Sequence, residues 1–177
     1  MRVINLSANA TQPASYLLSA LRAAATAGIS IVTPAGNQGL DASRPANYPA
    51  LYNQSLTGQH EAIPGLIAVG SLKPGTAGAP PAPSNFSSLG AWVTLSAQGE
   101  GLQLASAADV NAFFQKTGTS FSTPAVSAAV ALIRAKNPGF SPEDAKLRLT
   151  SSATPVAGCA AIQCGAGMLN IPGALTP

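Results

Sequence analysis

The opening of the chain constrains its fold more than any other stretch. Val3 to Leu6 is a short apolar run bounded by polar residues, which predicts a buried strand. Pro13 and Ser15 precede Leu17, Leu18, Leu21 and Ala25, which share one face at helical spacing, and Gly28 ends that helix. Ile29 to Val32 reads as a second buried strand. Strand, helix and strand in such a short span make a βαβ unit, with parallel strands and a right-handed crossover. The fold class is therefore α/β, a mainly parallel sheet with helices on both faces. In such sheets ligands gather at the carboxyl ends of the strands. Here those ends are Ser7-Ala8-Asn9 and Thr33-Pro34-Ala35-Gly36-Asn37.

The remainder is consistent with one domain and shows no internal repeat or boundary. A long loop from Gln38 to Pro64 leads to a third apolar strand, Leu66 to Val69. Lys73 to Ser84, rich in Pro, Gly and Ala, reads as a surface loop. Phe86, Trp92 to Leu95, Leu102 to Leu104 and Phe113-Phe114 suggest short strands, with Asn111 to Gln115 a core strand with exposed ends. A helix runs from about Ser120 to Lys136 and stops before Pro138. A second starts at Ser141 as N-cap, with Pro142 at its first position and Asp144 three residues after the cap.

Hydrophobic residues make up 46% of the 177 residues and charged ones 8%, which excludes a disordered chain. The net charge of +3 comes from scattered residues, so no nucleic-acid surface is expected. No run of eighteen apolar residues offers a transmembrane helix, and no membrane partner is expected. Met1 to Ser7 lacks the apolar run and cleavage site of a signal peptide. A core strand beginning so abruptly leads us to expect missing sequence upstream. Low charge with abundant Ala, Ser, Gly and Thr is common in secreted hydrolases. The two cysteines, Cys159 and Cys164, would close a small disulfide loop in a secreted protein. Two free thiols are the alternative; a metal site lacks further ligands.

Chemistry concentrates at Gly118-Thr119-Ser120-Phe121-Ser122-Thr123-Pro124-Ala125. A serine between a tight Gly-Thr turn and a long small-residue helix is displayed at a helix N-terminus, where developing negative charge is favoured. To act as a nucleophile, Ser120 needs a base and donors for an oxyanion. Asn37, in Ala35-Gly36-Asn37-Gln38-Gly39 after a buried strand, could supply an amide donor beside the Ser120 backbone N–H. Taken alone, Asn-x-Gly is also ordinary turn chemistry.

Taken together, these segments resemble the subtilisin-like serine proteases, the subtilases. The Ser120 stretch resembles their nucleophile signature, and Ile31 to Gly39 their oxyanion-hole segment. Asn47-Tyr48-Pro49-Ala50, Leu66 to Gly70, Asn85 to Gly90 and Cys164 to Asn170 resemble later family segments, in family order over nearly the whole chain. Val3 to Ser7 looks like the strand whose end borders the substrate.

The resemblance implies a serine-type endopeptidase that forms an acyl-enzyme on a polypeptide substrate. Its triad is ordered Asp, His, Ser, with Ser120 as nucleophile and Asn37 as oxyanion donor. Ser7, Ala8 and Asn9 with Thr33, Pro34, Ala35 and Gly36 would border the pocket for the residue before the scissile bond. No acidic residue lies in these segments, which argues against strict Lys or Arg preference and for apolar or broad choice.

The family's Asp and His would precede Val3. His60 follows Asn37 and reads as a solvated loop residue between Gln59 and Glu61; Asp41, Asp109 and Asp144 match no triad position. Residues 1–177 thus resemble the C-terminal part of a secreted subtilase catalytic domain whose N-terminal part is missing. A partner half carrying Asp and His is implied. In this family, where the magnitudes are established, losing the base costs about 10⁶-fold in turnover and losing one oxyanion donor about 10²–10³-fold. The chain alone should be nearly inert. Some family members bind calcium, but no carboxylate cluster here suggests a site and no cofactor is expected. Two other readings stand beside this one. The chain could be a non-catalytic or degenerate fragment acting as a structural or partner chain, or a small α/β binding module of other ancestry.

Overall fold

The computed structural model describes residues 1–39, 47–55, 59–106, 109, 111–160 and 164–176. Its strands are β1 (Val3–Asn5), β2 (Ser30–Pro34), β3 (Leu66–Lys73), β4 (Ala82–Pro83), β5 (Leu95–Gln98), β6 (Leu102–Ala105) and β7 (Phe113–Lys116). Its helices are α1 (Ser15–Thr26), α2 (Thr119–Lys136), α3 (Pro142–Ser152) and α4 (Ile171–Leu175). Strands β1, β2, β3 and β5 run parallel in that order, and β4 pairs antiparallel with the end of β3. The β1–α1–β2 unit is the expected βαβ crossover, with Ile4 opposite Ile31.

Period-two alternation sends neighbouring residues to opposite faces, and both faces are covered. Val32, Ile67, Val69 and Leu95 pack under Val126, Val130 and Ile133 of α2 and Leu149 of α3. Ile31 and Leu66 point the other way, into a cluster with Leu21 of α1, Tyr48, Tyr52 and Ile63. Each such fully buried Ile or Leu contributes about 1.5–3 kcal/mol of transfer free energy. Polar anchoring comes from Arg134, only 6% exposed. Its Nη1 donates to the carbonyls of Arg2 (2.9 Å) and Gly28 (2.7 Å), and its Nη2 to that of Phe140 (3.0 Å). It thereby ties the starts of β1 and β2 to the α2–α3 link. Burial first, and then the neighbouring Arg2 charge, push its guanidinium below the ordinary arginine range.

The start of α3 follows its sequence signals. Ser141 Oγ accepts from the Asp144 N–H at 3.1 Å, and the Ser141 N–H donates to Asp144 Oδ2 at 2.9 Å, a complete capping box. Cys159 and Cys164 form a disulfide, which decides between the two readings of that pair.

Four expectations need correction. Strand β1 is only half-buried, because among the described residues it is the last strand on its side of the sheet, with a neighbour on one edge alone. The segment around Asn111 to Gln115 is not core. It forms β7 of a two-stranded ribbon with β6, and Phe113 and Phe114 remain 68% and 39% exposed. An apolar pair in a ribbon points to both faces, and here neither Phe is buried. Trp92 to Thr94 precede β5 rather than joining it, and β5 runs on through polar Ser96 to Gln98. His60 is buried rather than solvated: its ring meets Tyr52 edge-on at 5.0 Å, inside the α1-side cluster.

Candidate active site

The site forms where β2 ends and α2 begins. Thr33 and Pro34 close β2, and Ala35 and Gly36 follow; all four are buried. Gly36 has φ +116°, a left-handed conformation that glycine adopts readily, and the chain turns there to bring Asn37 to the surface. On the neighbouring strand end, Ser7, Ala8 and Asn9 are exposed beyond β1. Asp41 lies outside the described residues. Asp109 accepts from the Asn111 N–H near β7, and Asp144 serves the α3 cap.

Ser120 occupies the first turn of α2 and is half-buried. Pro124 has no N–H to give to the Ser120 carbonyl. The neighbouring Thr119 carbonyl takes hydrogen bonds from the hydroxyls of Ser122 (2.8 Å) and Thr123 (2.7 Å). The first backbone N–H groups of a helix have no intrahelical partner, so the Ser120 N–H is available as a donor.

Asn37 is held by Thr119. The Thr119 N–H donates to Asn37 Oδ1 at 2.9 Å, and the Thr119 hydroxyl donates to the same oxygen at 2.8 Å. A backbone N–H can only donate, so the atom facing it must be the amide oxygen, and the NH₂ must face the other way. A methyl group placed on Gly118 would stand 3.3 Å from Ser120 Oγ and 3.5 Å from Asn37 Nδ2. The position above Gly118 is therefore bordered at once by the hydroxyl, by the Phe121 ring at 3.4 Å and by the amide donor. A carbonyl group seated there could meet the hydroxyl and the amide. Among the described residues Ser120 Oγ has no hydrogen-bond partner.

The subtilase family pattern matches residues 1–167. The chain belongs to the subtilase family. Subtilases are serine proteases that act on polypeptides. Relatives include subtilisin DY from Bacillus licheniformis, 31% identical over 173 residues covering 97% of this chain and 56% of that protein. Another is subtilisin E from Bacillus subtilis, 30% identical over 98% of this chain and 41% of that protein. The fold is likewise similar to solved subtilases. MycP1 with its N-terminal propeptide removed superposes with a TM-score of 0.75 at 28% identity, over 99% of this chain and 61% of that one. The self-cleaved protease domain of PatA superposes with a TM-score of 0.74 at 27% identity, over 99% and 61%. This subtilase chain spans about half the length of the curated relatives it matches. Membership removes the reading as a binding module of unrelated ancestry.

Two features of the site escaped sequence reasoning. Thr119 was legible only as part of a Gly-Thr turn, yet it sets the orientation of Asn37 through both its N–H and its hydroxyl. A buried amide, Asn47, joins the two strand-end segments: Asn9 Nδ2 donates to its Oδ1 at 2.9 Å, and its Nδ2 donates to Ser88 Oγ at 3.2 Å. Ser88 in turn donates to Gln38 Oε1 at 3.0 Å. These partners stand about forty to fifty residues apart in sequence, and no local pattern links them.

Proposed function

We propose that this chain is the C-terminal portion of a secreted subtilase catalytic domain and carries half of the machinery for peptide-bond hydrolysis. Ser120 is the nucleophile that attacks the scissile carbonyl. The oxyanion then meets Asn37 Nδ2 and the Ser120 N–H, and the acyl-enzyme is released by water. The observation that carries the reading is the position above Gly118, reached by both Ser120 Oγ and Asn37 Nδ2. Ser7, Ala8, Asn9, Thr33, Pro34, Ala35 and Gly36 flank the substrate chain.

The general base and its orienting carboxylate come from an N-terminal segment, which we assign to the open edge of β1 and the outer face of α2. That face is made of Pro124, Ala125, Ala128, Ala131, Leu132 and Ala135, all exposed. The length of the relatives supports such a segment. The disulfide fits an oxidising, extracellular setting.

A fluorophosphonate probe tests the reading. Labelling should appear at Ser120 when the chain is mixed with the N-terminal half of a subtilisin, and should vanish with Ser120→Ala. Absence of labelling under every condition would instead support a purely structural chain.

A further inference from the structure

Helix α1 begins without a cap. Ala14 precedes it and makes no side-chain hydrogen bond, and its first turn holds no acidic residue. The N–H groups of Ser15, Tyr16 and Leu17 have no hydrogen-bond partner among the described residues. Such free donors at the positive end of the helix dipole favour an anion. A cavity of about 530 Å³ opens at this end of the helix, lined by Pro13, Ser15, Leu18, Tyr52, Gln59 and His60. Ligand cavities commonly hold roughly 300–1,000 Å³.

His60 points to a ligand on separate grounds. It is only 9% exposed, and its Nε2 is closed to water and has no hydrogen-bond partner. A buried polar atom left unpaired costs about 1–3 kcal/mol. Nδ1 stands 3.4 Å from the Glu61 carbonyl, which leaves Nε2 as the polar atom that the ring can bring to the cavity it lines. The contact at Nδ1 is long for a hydrogen bond, so a slight tilt of the ring costs little. Tyr52 joins the two features: its hydroxyl accepts from the Ala14 N–H at 3.2 Å, and its ring meets His60 edge-on at 5.0 Å. The charged groups beside the ring are Glu61, whose Oε2 accepts from Ser55 Oγ at 3.0 Å, and Arg22 of α1, which donates to the Glu61 carbonyl at 3.4 Å. Among the described residues no lysine or arginine lines the cavity, which suits one negative charge rather than the two of a phosphate.

We propose that this cavity is a binding site for a small monocarboxylate with an apolar body, sharing no lining residue with the Ser120–Asn37 site. The carboxylate accepts from the first-turn N–H groups of α1 and from His60 Nε2–H. With Nδ1–H given to the Glu61 carbonyl, a proton on Nε2 makes the ring an imidazolium, and charge on both partners strengthens the bond. The apolar body lies against Pro13, Leu18 and the face of Tyr52. Ligand and ring proton therefore bind together, because an imidazolium beside a bare helix start needs an anion to offset both.

Binding to the ¹⁵N-labelled chain tests the site, with no turnover required. Benzoate and its neutral counterpart benzamide are titrated at pH 5.5, and shifts are followed at the Ser15 and Tyr16 amides and the His60 ring. Benzoate should bind at least about tenfold more tightly than benzamide. The titration of the His60 ring should move to higher pH in saturating benzoate. His60→Phe should weaken benzoate by about tenfold, the loss of one hydrogen bond to a charged group. Ala14→Asp gives the helix a carboxylate of its own and should weaken benzoate to a similar degree without loss of stability, so the site is tested even if His60→Phe does not fold. N-acetylphenylalanine then separates the two sources of such a group: tighter binding than benzoate assigns the site to a peptide's carboxyl end, and weaker binding to a free acid. Equal binding of benzoate and benzamide, shifts confined to other residues, or an unchanged benzoate affinity in Ala14→Asp overturns the proposal.

Discussion

The two faces of helix α2 look out on different kinds of surroundings. The inner face carries Val126, Val130 and Ile133, each fully buried against β2, β3 and β5. Strand β2 is buried along its whole length, and β3 everywhere but its last residue. The outer face carries alanines, Pro124 and Leu132, with Leu132 49% exposed, and the adjoining strand β1 has no fully buried residue. Yet the outer composition is that of a packing face: small residues that let another backbone come close, and no charge among them. A solvated helix face ordinarily carries polar and charged side chains. The contrast is the reason our proposed function seats an N-terminal segment on the outer side.

Truncations on the two faces should separate them most strongly. Ile133→Ala is expected to cost about 2–5 kcal/mol in chemical denaturation, from lost transfer free energy and a residual cavity. Leu132→Ala, one residue before it, should stay within about 0.5 kcal/mol in the isolated chain. Equal losses would break the comparison. Next in size is Asn37→Leu, which removes the amide donor at the packed end of α2. Fluorophosphonate labelling of the mixed halves should slow by about 10²–10³-fold while stability changes little. Thr119→Val keeps the bulk and the N–H but loses the hydroxyl bond to Asn37, so labelling should slow by only about fivefold, the worth of one hydrogen bond of roughly 1 kcal/mol. Thermal denaturation of the isolated variant checks that the fold is intact.

The smallest effect concerns pH. Hydrogen bonds from the Ser141 hydroxyl and N–H hold the Asp144 carboxyl below its ordinary value of 3.8. A carboxyl lowered on folding stabilises the native state above its unfolded value, and that contribution disappears as pH falls through the folded value. The parent chain should thus lose stability below about pH 3.8 more steeply than Asp144→Asn, as read from acid titration of the denaturation midpoint.

Much of this arrangement was written in local patterns. The β1–α1–β2 unit follows from apolar runs of strand length around a helical stripe that Gly28 ends. The α3 start follows from Ser141, Pro142 and Asp144, because capping is a matter of a few neighbouring residues. Ser120 and Asn37 stood out as chemistry in context. What local patterns could not carry was burial set by distant partners. Val3 and Ile4 read as core because apolar side chains do not reveal on how many sides a strand has neighbours. Phe113 and Phe114 read as core for the same reason. His60 looked solvated between Gln59 and Glu61, but Tyr52 covers it. The Asn9–Asn47–Ser88 bridge is a tertiary fact from beginning to end.

One consequence of the Thr119 clasp reaches beyond this molecule. With its oxygen committed twice over, the Asn37 carboxamide is oriented by both the N–H and the hydroxyl of Thr119, and its hydrogens point away from them. On the proposed reading, a segment that brings a base and its orienting carboxylate meets an amide donor that Thr119 has already aimed.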